Sequence, residues 1–157
     1  EICEIQNLVK GSAAEALVRL LFQCSGYRAY PFGVWKSKDL DTILRRDNEP
    51  TNHPDLVIHR KGWMSSFRSP ELVEVKYRKE GIGHHKLYDE LSRQFHYWGA
   101  YATFRVIFLE PGKQNPISIL TPPYFEEISA KEAGWHFNED VYAECVRIIN
   151  EGILSKE

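Results

Sequence analysis

The sequence predicts an α/β sandwich, with a central mixed sheet of four to five strands flanked by helices. Three observations carry that expectation. Apolar residues recur at helical spacing near the start, in the middle and at the end of the chain. Residues 71–78 alternate side chains as a strand does. Thr103–Leu109 is a near-continuous apolar run, as in a strand buried on both faces.

The elements follow in order. A helix is expected over 12–25, with Ala14, Leu17, Val18, Leu21 and Phe22 as its inward stripe and Gly26 as its stop. Residues 27–34 read as a strand with Pro31 near an edge. The polar stretch 35–52 reads as a short helix around 40–46 or an excursion between strands. Residues 55–59 form a short strand, and 71–78 the clearest one. There Val73, Val75 and Tyr77 take one face, and Leu72, Glu74, Lys76 and Arg78 the other. A helix over 86–102 carries Leu87, Leu91, Phe95 and Trp98 on one side. Strands at 103–109 and 116–120 follow, the latter stopped by Pro122 and Pro123. The last helix starts at Asn138, a good cap, with Glu139 and Asp140 in its first turn and Val141, Cys145, Ile148 and Ile149 facing inward.

At 157 residues the chain has the size of one domain, expected to span 1–157, and can bury a core without disulfides or a structural metal. Cys3, Cys24 and Cys145 are odd in number and widely spaced, which speaks against a disulfide framework and a zinc site. An intracellular location, cytoplasm or nucleoid, and no membrane span are expected. The net charge of −2 does not announce a nucleic-acid binder, but its distribution is uneven. Residues 59–86 carry seven basic against three acidic residues, and 124–157 three against eight. The plain reading is two solvated faces; the functional one is a basic face that meets phosphate.

The chemistry centres on Asp55 and the triplet Glu74-Val75-Lys76. Glu74 and Lys76, two apart on a strand, project from the same face. If the strands pair, Asp55 approaches Glu74, and two such carboxylates repel unless a cation joins them. Hard oxygen donors with open water positions suit Mg²⁺, with Mn²⁺ as a substitute, and the Val75 carbonyl is a natural third ligand.

Pro54-Asp55 followed about twenty residues later by Glu74-Val75-Lys76 resembles the PD-(D/E)XK motif of restriction-endonuclease-like nucleases. Residues 10–15, Lys-Gly-Ser-Ala-Ala-Glu, open a helix similar to the first helix of Holliday-junction-resolvase-like members. Gly26-Tyr27 and Arg78 are similar to that branch too. The resemblance implies a metal-dependent endonuclease, with Asp55, Glu74 and Glu15 around Mg²⁺ and Lys76 orienting the attacking water. It also implies DNA, branched or otherwise unusual, rather than RNA as substrate, and a homodimer, since two strands need two cuts. A non-catalytic binding or assembly module on the same fold and an RNA-processing nuclease are the competing functions.

Glu15 has a second reading, because Ser12-x-x-Glu15 also spells a capping box. Around the Gly-rich turn after the motif, Arg78, Lys79, His84, His85 and Lys86 are candidates for phosphate contact or for a merely polar loop. Gln94 stands where some RecB-like nucleases carry a functional Gln. Trp98 stands where their Tyr would follow, and a structural Gln is the alternative. His53 and His59 flank the Asp55 strand, while Tyr30, Trp35 and Trp63 are candidates for base stacking or for core anchoring. Lys36, Lys38, Arg45 and Arg46 are candidate target readers whose charge is cancelled by neighbouring acids.

Overall fold

The computed structural model describes residues 2–32, 53–60, 70–78 and 84–152, with side chains described from Val9 in the first stretch and from Leu87 in the last. Trp35, Lys36, Lys38, Arg45, Arg46, Trp63, Lys79 and the side chains of His84, His85 and Lys86 lie outside the described residues.

Helix α1 (Ile2–Cys24) begins well before the expected start at Ser12. Residues 2–11 contain no proline, and one glycine costs a helix only about 1 kcal/mol. Gly11 therefore sits inside the helix, with open space where a Cβ would be. This corrects the capping-box reading, because the free amides of a helix start are not found at Ser12. The helix stops at Gly26, whose φ of 91° is the left-handed conformation that favours glycine.

Among the described residues six strands follow: β1 (Tyr27–Pro31), β2 (Leu56–Arg60), β3 (Glu71–Tyr77), β4 (Thr103–Leu109), β5 (Ile117–Thr121) and β6 (Glu126–Ile128). They lie across the sheet in chain order. All neighbours are antiparallel except β3 and β4, which run parallel and are joined through α2 (His84–Trp98). The sheet is mixed, as expected, and one strand larger than expected. β6 is three residues of Glu-Glu-Ile, too short for a visible period, beyond a Pro-Pro pair that reads as a stop. Helix α3 (Glu139–Glu151) starts on Asn138, whose side chain accepts from the amides of Asp140 and Val141. Among the described residues, three helices thus flank the sheet in an α/β sandwich.

Strand alternation divides the core. Val73, Val75, Ile107, Leu109, Ile117 and Ile119 face α1 and α3, together with Val18, Leu21, Phe22, Cys145 and Ile149. Leu72, Phe104, Val106 and Phe108 face α2, with Leu87, Leu91 and Trp98. Trp135, 1% exposed, comes from the irregular chain before α3 and meets Phe22 edge-on at 5.0 Å. Its Nε1 donates to Glu71, while Arg105 lies against its ring and donates to the Ala133 carbonyl. Among the described residues no helix is long and apolar enough to cross a membrane.

Candidate active site

β2 and β3 pair with Leu56 opposite Val73 and Val57 opposite Leu72. One step further along that register sets Asp55 opposite Glu74, just where β2 begins. Directly opposed residues of an antiparallel pair share a face, so Asp55 falls on the α2 side with Glu74 and Lys76. Its carboxylate also turns into the gap beside β3: Oδ2 accepts the Val75 amide at 2.7 Å. A strand residue's N–H and C=O leave the same edge, so the Val75 carbonyl is directed towards the Asp55 side as well.

Glu74 is 4% exposed, which is costly for an acid. Its Oε1 lies 3.0 Å from Lys76 Nζ, and its buried Oε2 meets no hydrogen-bond partner among the described residues. Burial pushes the Glu74 carboxyl above its usual range, against the pull of Lys76. Asp55 is pushed up to about 7, by burial first and by the charge of Glu74 second, with the Val75 amide opposing. Two acids held this close favour a proton or a cation between them. For Lys76, burial alone would lower the ammonium, but Glu74 and then Glu90 outweigh it and keep it raised.

Glu15 reaches the same place from α1. It lies on the flank of the Ala14, Val18 and Phe22 stripe and keeps an exposed side chain. Its carboxyl is nevertheless pushed up to about 7, by burial of its acidic end first and by Asp55 second. Asp55 acts on both other acids, raising the Glu15 carboxyl and in turn being raised by the charge of Glu74. Among the described residues no group of three or more His, Cys, Asp or Glu side chains is arranged to hold a metal ion by itself. What the site does offer is an orphaned carboxylate oxygen, a second acid opposite it and a nearby strand carbonyl. These are donors of the kind Mg²⁺ or Mn²⁺ takes, with water in the remaining positions.

The other candidates sit at varying remove. Arg78 follows Lys76 by two residues, on the same face, and its amide continues the ladder to the Leu109 carbonyl. Gln94 lies on α2 and is 1% exposed. His53 packs among Phe32 and Trp98, His59 lies beside Tyr30, and Tyr30 is 47% exposed on an edge strand. Glu90, which sequence reasoning passed over, lies with its Oε1 3.3 Å from Lys76 Nζ. Its signal was available: it neighbours the inward Leu87 and Leu91 of the helix that crosses over the Lys76 face.

No family model matches the chain, and no curated protein does. Among solved structures it is similar to Archaeoglobus fulgidus Hjc, described as a Holliday junction resolvase from an archaeal hyperthermophile. That similarity is 20% in identity with a TM-score of 0.44, covering 82% of this chain and 99% of that one. A likeness this distant assigns neither family nor activity.

Proposed function

We propose that the chain is a divalent-cation-dependent endonuclease that hydrolyses phosphodiester bonds in DNA. The observation that carries this reading is Asp55 brought against Glu74, with the Lys76 ammonium on the same face and one buried Glu74 oxygen unpartnered among the described residues. The Asp-Glu-x-Lys spacing, with its resemblance to PD-(D/E)XK nucleases, supports the same chemistry.

Asp55 and Glu74, with the Val75 carbonyl, would hold Mg²⁺ or Mn²⁺, which polarises the scissile phosphate and makes a bound water acidic. Lys76 donates a hydrogen bond to the attacking water or to a phosphate oxygen as charge builds there. The Val75 amide fixes the Asp55 carboxylate, so one of its oxygens is aimed before substrate arrives. Glu15 stands beside Asp55 as a further ligand, directly or through water. Arg78, with Lys79, His85 and Lys86 beyond it, would meet the phosphate backbone. Cutting both strands of a duplex calls for two sites, so a homodimer on DNA belongs to this reading.

The test is direct. The chain is incubated with plasmid, linear, branched and single-stranded DNA, and with RNA, in Mg²⁺, Mn²⁺ or EDTA. Cleavage in either metal, absent in EDTA and lost in Asp55→Ala, Glu74→Ala and Lys76→Ala, is the expected result. A non-catalytic binding module is the second reading, favoured by the absence of a ready-made metal cluster among the described residues. It predicts DNA binding that survives all three substitutions, with no cutting by the unaltered chain.

A further inference from the structure

Among the described residues the Lys76 ammonium has two carboxylate neighbours, Glu74 Oε1 at 3.0 Å and Glu90 Oε1 at 3.3 Å. That arrangement matters because Glu74 is the acid proposed to take the cation. A divalent ion and an ammonium on one carboxylate repel each other, and the repulsion is strong where water is scarce. With Glu74 alone to hold it, Lys76 would be driven off as the cation bound, or would keep the cation out.

Glu90 supplies the second anchor from another element. Leu87, Leu91 and Trp98 fix α2 against the sheet, all buried. Helical spacing then leaves Glu90 on the flank of that stripe, over the strand face that bears Lys76. Its side chain is 33% exposed and that of Lys76 21%, so the pair is partly shielded from solvent.

We infer that Glu90 is a positioning residue: it keeps hold of the Lys76 ammonium when Glu74 turns to a divalent cation, so that cation and ammonium occupy the site together. The inference rests on the metal-dependent reading above. It assigns Glu90 no contact with the cation or with DNA. Its effect on the cation passes entirely through Lys76.

That last property gives the test. The full chain is titrated with MnCl₂ alone by calorimetry, as unaltered protein, Glu90→Gln, Lys76→Met and the double variant, each first checked by thermal melting. Glu90→Gln is expected to weaken Mn²⁺ binding roughly fivefold where Lys76 is present, the scale of one partly exposed ion pair. It is expected to change nothing in the Lys76→Met background, and Glu90→Asp should recover part of the loss. Equal weakening in both backgrounds overturns the inference, since Glu90 would then act on the ion without Lys76. Unchanged binding in Glu90→Gln overturns it too, while Mn²⁺ binding by the unaltered chain leaves the metal reading standing. No Mn²⁺ binding by the unaltered chain sinks the metal reading, and the role of Glu90 with it.

Discussion

The two faces of the sheet are built to different ends. The side under α1 and α3 is the larger apolar core, where Phe22 meets Tyr27, Trp135 and Phe137 edge-on. The side under α2 has the smaller apolar cluster, and both buried polar side chains among the described residues, Glu74 and Gln94, belong to it. Beside that cluster lie Asp55, Lys76 and Glu90, whose charges are balanced only in part. A face that buries apolar surface gains stability from each residue. A face that buries carboxylates gives some of it up, which is the usual condition of a site kept ready for a ligand.

Substitutions on the two faces should therefore separate activity from stability. The largest effect is expected from Asp55→Ala or Lys76→Ala. Metal-dependent cleavage should fall at least about a hundredfold, with the fold retained. A comparable loss of fold in both variants would merge the two faces into one structural unit. On the opposite side, Phe22→Ala removes a fully buried ring and should cost about 3–5 kcal/mol in denaturant unfolding. Residual cleavage by the folded fraction should persist.

The third prediction concerns pH. Asp55 and Glu15 are raised from ordinary values of 3.8 and 4.5 to about 7 in the folded chain. A carboxyl raised by folding stabilises the fold while protonated. That contribution is complete below about pH 4 and is lost as pH climbs through about 7. In EDTA the melting temperature should therefore fall between pH 5 and pH 8, and Asp55→Asn should flatten the slope. Mn²⁺ should restore stability at pH 8 and release protons on binding near pH 7. A slope unchanged in Asp55→Asn would place the titration elsewhere. The smallest effect is expected at Asn138, far from the chemistry. Asn138→Ala leaves the Asp140 and Val141 amides without their acceptor and should cost about 1 kcal/mol, with cleavage unaltered.

Much of this division was legible in the sequence, for identifiable reasons. Alternation along Glu71–Tyr77 sorts Val73 and Val75 from Glu74 and Lys76, and the faces they occupy are the ones alternation implies. The Asp55–Glu74 approach follows from register, which the sequence could only suppose. The Asn138 cap was readable because capping is local chemistry. Long-range contacts were not readable. Trp135 enters the core from an irregular segment that has no period to announce it, and β6 is too short to carry one. The early start of α1 was hidden by Gly11, which reads as a boundary in sequence but is tolerated inside a long helix. Glu90 escaped because the motif was sought along β3, while its partner arrives from the helix that crosses over it.

A crystal soaked in MnCl₂ and read by anomalous scattering bears most directly on the paired acids. One Mn²⁺ should appear between the Asp55 and Glu74 carboxylates, near the Val75 carbonyl, with the Lys76 ammonium still against Glu90. A manganese peak elsewhere, or none at an occupancy that Mn²⁺ reaches on other surface acids, would contradict a metal centre at these residues.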